Sequence, residues 1–76
     1  MPDTNWMTEI GIGEHKDSFL SENKFEAVVI ACRAICRTFK CDDPEDLLPN
    51  AAFHTLWTNG RFLLGDMLVQ VHEQRS

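Results

Sequence analysis

Cysteine and histidine are the side chains in this chain best equipped for chemistry, and their spacing limits what that chemistry can be. Cys32, Cys36 and Cys41 lie close together, and with His54 they spell C-x3-C-x4-C-x12-H. Structural zinc is usually held by a tight cysteine pair and a second pair of similar spacing. Here the second pair is absent and the histidine stands alone, so no metal is expected. A redox switch needs an exposed thiol of lowered pKa. Arg33, Arg37 and Lys40 are near enough in sequence to lower that of Cys36 or Cys41. Free cysteine is nonetheless among the most buried residue types and packs as a small hydrophobe. The preferred reading therefore places Cys32 and Cys36 in a helical core and leaves Cys41 as the thiol that meets solvent. A zinc or redox-sensing helical module using Cys32, Cys36 and Cys41 is the alternative.

Catalysis has less to stand on. His15, His54 and His72 fall in three separate regions, and no serine or cysteine sits in a nucleophile context. The run "GIGEHK" lacks the G-x4-G-K-[ST] pattern of a phosphate loop. The acids of "DDPEDLL" are adjacent rather than a separated acid–base pair in an apolar cleft. The chain is expected to be no enzyme, with no catalytic residue and no cofactor.

Two helices are expected to position these groups. Over about 24–40, Phe25, Val28, Val29, Cys32, Ile35, Cys36 and Phe39 recur at three- and four-residue steps. They form an apolar stripe about 120° wide, with Asn23 and Glu26 as a capping pair. Arg33, Arg37 and Lys40 make a basic ridge on the other side. Ala27, Ala31, Ala34 and Thr38 form a separate seam of small residues. Either the alanines simply favour helix, or they admit a close neighbour, the N-terminal segment or another chain.

Residues 42–49 read as a loop or short turn, with Pro44 set to open it. The last region holds "NG", a hairpin signal. Against that signal, Phe53, Leu56, Trp57, Gly60, Leu63, Leu64, Met67, Leu68 and Val71 keep helical phase through the glycine. The reading is a second helix over about 50–73, bent at Asn59-Gly60 if anywhere. Residues 1–20 read as an irregular leader, because Gly11 and Gly13 weaken "EIGIGE" as a strand.

The predicted fold is thus all-α: one domain over 1–76, an antiparallel helical hairpin with a leader. Phe62 and Val69 fall opposite the main stripe of the second helix. A homodimer in a four-helix arrangement would cover them. Together with Trp6, Arg33 and Arg37 they are the residues expected to bind a partner.

Charge narrows the classes of partner. Seven basic and twelve acidic residues give a net charge of −5, unsuited to direct nucleic-acid binding, which draws on phosphate neutralisation, or to an anionic membrane. No apolar run is long enough to span a bilayer and no signal peptide is recognisable, so a cytoplasmic location is expected. These exclusions point to a small protein–protein interaction module acting as a regulator, adaptor or inhibitor through helical apolar faces. The alternative is an acidic inhibitor that competes for a partner's nucleic-acid-binding surface.

Overall fold

The computed structural model describes residues 4–40 and 48–75. Along the chain it contains β1 (Thr4–Ile12), β2 (His15–Ser21), α1 (Lys24–Phe39), α2 (Leu48–Asn59), β3 (Arg61–Leu64) and β4 (Met67–Arg75). The strands form one antiparallel sheet in the order β2-β1-β4-β3. Both helices contribute to a single core on one face of it. The all-α expectation is therefore overturned. Two β-hairpins flank a helical pair, and neither a helical hairpin with an irregular leader nor a four-helix dimer built from it describes the chain.

The leader is the first hairpin. Trp6, Thr8, Ile10 and Ile12 alternate with Asn5, Met7, Glu9 and Gly11, and the first set points to the helix side of the sheet, where Thr8 and Ile10 are buried. Gly13, at φ 60°, occupies the first position of the two-residue turn closed by Ile12 and His15. Positive φ at that position is what a type II′ hairpin turn requires. The glycine that weakens a strand in isolation is the one that closes this hairpin.

The expected helix over 50–73 stops at Asn59. Gly60 has φ 75°, and its N–H returns to the Leu56 carbonyl at 2.9 Å, ending α2. Its own carbonyl accepts from Val71 N–H at 2.8 Å, which ties the helix end to β4. A Cβ at Gly60 would stand 2.9 Å from the Val71 carbonyl oxygen. Gly65, at φ 61°, then opens a second two-residue turn between Leu64 and Met67. Helical phase through this region was a coincidence of spacing. The buried residues are Met67, Val69 and Val71, a period of two.

The helix over 24–40 forms at Lys24–Phe39, capped by Asn23, whose side chain accepts from the Glu26 N–H at 2.8 Å. Its inward face keeps Val28 and Ile35 of the predicted stripe but is turned toward the alanine seam. Ala27, Val28, Ala31 and Ile35 are wholly buried, whereas Phe25 and Phe39 are 58% and 40% exposed. The alanine seam lets α1 settle closely on the sheet, and the buried Thr8 hydroxyl donates to the Ala27 carbonyl at 2.9 Å. Leu56 and Ala52 of α2, with Met67, Val69 and Val71 of β4, complete the core.

Candidate docking groove

The sheet has four strands to cover and α1 is drawn to its centre, where it packs chiefly on β1 and β4. The inner face of the edge strand β2 is left beside the helix rather than beneath it. There the chain forms a groove of about 330 Å³. Ile10, Ile12, Asp17, Phe19 and Met67 line it from the sheet, and Ile30, Arg33, Ala34, Arg37 and Thr38 from α1. Ile12 and Phe19 are 40% and 43% exposed.

Local sequence explains the geometry. Only Glu22 and Asn23 join β2 to α1, so the helix must run back along the strand it leaves. Arg33 and Arg37 stand one turn apart on the helix side. Among the described residues neither guanidinium makes an ion pair. The Thr38 hydroxyl is committed to the Ala34 carbonyl of its own helix at 2.9 Å. The groove therefore offers an apolar floor with two cations on one wall and one carboxylate, Asp17, on the other.

Of the five residues predicted to bind a partner, the structure brings together Arg33 and Arg37. Phe62 and Val69 face each other across β3 and β4 on the inner side of the sheet. Val69 is wholly buried and Phe62 half-buried against the core. The spare helical face that was to present them does not exist. Trp6 is half-buried at the opposite end of the sheet, with the Lys24 ammonium 5.7 Å from its ring centroid. Ile12 and Phe19 were missed. Their signal was the dipeptide Gly13-Glu14 between apolar residues, which folds the leader and puts both on one face.

Lys24 also belongs to a second exposed patch. Its ammonium lies 4.7 Å from the Trp57 ring. Phe53 stacks on Trp57 at 5.9 Å and meets Phe25 edge-on at 6.0 Å. These contacts pin α1 to α2, and the cation already occupies a ring face that a ligand would use. The patch reads as a fastening.

The cysteines do not form a reactive centre among the described residues. Cys32 and Cys36 are half-buried free thiols one turn apart. Burial, and secondarily the neighbouring Cys36, push the Cys32 pKa up to about 11, the opposite of what thiolate chemistry needs. Cys41 and most of the 42–49 loop lie outside the described residues. His54 is exposed on α2, and no three His, Cys, Asp or Glu side chains converge among the described residues as a metal site would require. On the open face of the sheet, Met7, Glu9, Lys16, Ser18, Leu20, Arg61, Leu63, Leu68, Gln70 and His72 include no phenylalanine, tyrosine or tryptophan ring on which a base could stack. That face carries a side-chain contact between His72 Nε2 and Glu9 Oε2 at 3.2 Å.

Comparison of the chain with protein-family profiles, with curated proteins and with solved structures finds no match. Among the described residues, no helix is long and apolar enough to cross a membrane.

Proposed function

We propose that the chain is a small, non-enzymatic protein-binding module that acts as a regulator, adaptor or inhibitor by receiving a segment of another protein in the groove between α1 and β2. The observation that carries this reading is the pair Ile12 and Phe19, left substantially exposed in a concave surface of a domain with little apolar area to spare. Burial of such side chains stabilises a complex by about 25 cal/mol per Å² of apolar area covered. A groove of this volume accommodates one or two side chains of a partner, flanked by polar groups that fix orientation.

Selection of a displayed library of linear peptides on the immobilised full-length chain tests the reading. Selected peptides are expected to bind the native chain and the Leu63→Asp variant, altered on the opposite face, equally well. They should lose at least about tenfold in affinity, or about 1.4 kcal/mol, with Phe19→Asp. Peptides indifferent to Phe19→Asp, or no selected peptide at all, would refute the groove as the binding surface.

A homodimer is the second reading, now through the open sheet face. Leu20 and Leu63 there are the most exposed large apolar residues among those described, at 62% and 64%. Sedimentation of Leu20→Asp and Leu63→Asp variants against the native chain decides it, since a dimer built on this face dissociates in both.

A further inference from the structure

We infer that the partner segment binds as an added antiparallel strand on the edge of β2 that no described strand pairs, with an apolar side chain in the groove and carboxylates on Arg33 and Arg37. This rests on the reading of the groove as a protein-docking surface and specifies what occupies it.

The backbone supplies the first half of the argument. In a two-residue hairpin the residues flanking the turn exchange their N–H and C=O groups, and the ladder alternates from there. Because Ile12 pairs with His15, His15, Asp17, Phe19 and Ser21 bond to β1. Lys16, Ser18 and Leu20 then point their N–H and C=O groups outward. β2 is an edge of the sheet and seven residues long, enough to pair a short extended segment. Such edges recruit strands by main-chain bonds while pockets for alternate side chains set specificity.

The side chains supply the second half. Asp17 and Phe19 face the groove, so a strand paired on β2 sends every second side chain into the same space. Those side chains are spaced about 6.7 Å apart. Arg33 and Arg37, four residues apart on α1, are offset by about 6 Å along the helix axis. Alternating groove-facing positions of an added strand therefore match the rise between the two guanidinium groups. Acids at two successive groove-facing positions, with an apolar residue at the next, place carboxylates against two guanidinium forks that make no ion pair among the described residues and the apolar group on Ile12 and Phe19. Asp17 disfavours a further acid on the β2 side. The chain's net charge of −5 disfavours an acidic segment in general, so Arg33 and Arg37 supply the local attraction at this groove.

The test uses a synthetic peptide with glutamate, glutamate and leucine at every second position and threonines between them. Its binding to the full-length chain is followed by fluorescence anisotropy. The account predicts at least tenfold weaker binding when lysines replace the glutamates, or when Arg33→Glu and Arg37→Glu are combined on the protein. Methylating the threonine backbone nitrogens, which face β2, should abolish binding, whereas methylating those of the glutamates and leucine should leave it within about twofold. Ser18→Pro removes an outward N–H without touching the β1 ladder. With the native circular dichroism spectrum retained, it should weaken binding by at least fivefold. Equal sensitivity to both methylation patterns, or equal binding of the lysine peptide, would overturn the inference. So would failure of this peptide where displayed peptides sensitive to Phe19→Asp do bind, and the docking groove would then stand with a different occupant.

Discussion

The two β-hairpins are built alike and finished differently. Each turns on a glycine followed by an acid, Gly13-Glu14 and Gly65-Asp66, with φ of 60° and 61° at the glycines. The turns lie side by side, joined by a hydrogen bond from Gly13 N–H to the Asp66 carbonyl at 3.3 Å. Each outer strand carries one phenylalanine on its inner face. Phe62 of β3 is half-buried against the core, while Phe19 of β2 is 43% exposed. The difference lies in how the helices are tied. A single residue, Gly60, joins α2 to β3, so that helix must cover its strand. α1 is pulled toward the sheet centre by the Ala27 and Ala31 seam and the Thr8 hydrogen bond, and the inner face of β2 around Phe19 is left partly open. Where each helix settles on the sheet, more than apolar content, decides which aromatic is covered.

Core and groove substitutions should break this comparison most visibly. Leu56→Ala removes a wholly buried side chain and should cost about 3 kcal/mol in urea unfolding. Phe19→Ala should cost about 0.5 kcal/mol or less, as at an exposed site. Similar losses at the two positions would mean that β2 is covered after all.

The glycines sharpen the contrast between the ends of the hairpins. Gly60→Ala combines left-handed φ with a Cβ 2.9 Å from a backbone oxygen and should destabilise by about 2 kcal/mol or more. Gly13→Ala meets nothing within 4 Å and carries only the conformational cost, about 1 kcal/mol. Thermal melts of the two variants should show the larger drop for Gly60→Ala.

Thr8→Val should follow at about 1 kcal/mol, the net worth of one buried hydrogen bond. If the bond holds α1 off β2, amide exchange in β2 should change in this variant as well.

The smallest effect is one of pH. Burial, with the neighbouring Cys36, pushes the Cys32 thiol up from an ordinary 9.0 to about 11 in the folded chain. Above pH 9 the unfolded chain loses this proton first, so stability contributed by the buried neutral thiol falls as pH rises from 9 to 11. Denaturation midpoints of Cys32→Ala should decline less over that interval than those of the native chain.

Much of α1 was legible in the sequence, from the Asn23 cap to its last turn, because capping and helical periodicity are local. Its inward face was not. Large apolar residues define the strongest stripe, but the sheet selects the alanine side, since only small residues allow the closeness that the Thr8–Ala27 bond records. The strands were misread for a related reason. Leu64, Met67 and Val71 fit helical spacing as well as they fit alternate positions of a hairpin, and only Gly60 and Gly65 at positive φ separate the two. Arg33 and Arg37 could be singled out as surface cations, yet their companions Ile12 and Phe19 come from a hairpin that was not foreseen. A site built across long-range pairings cannot be read before the pairings are known.

Amide hydrogen exchange of β2, followed by NMR with and without the acidic–apolar peptide, tests the central claim most directly. In the free chain the Lys16, Ser18 and Leu20 amides should exchange rapidly, while those of Asp17 and Phe19 are protected by β1. Adding the peptide should slow the first set by at least about tenfold and leave Leu63 and His72 unchanged. Unaltered exchange at Lys16, Ser18 and Leu20 in a saturated complex, or protection appearing instead around Leu63, would contradict the account.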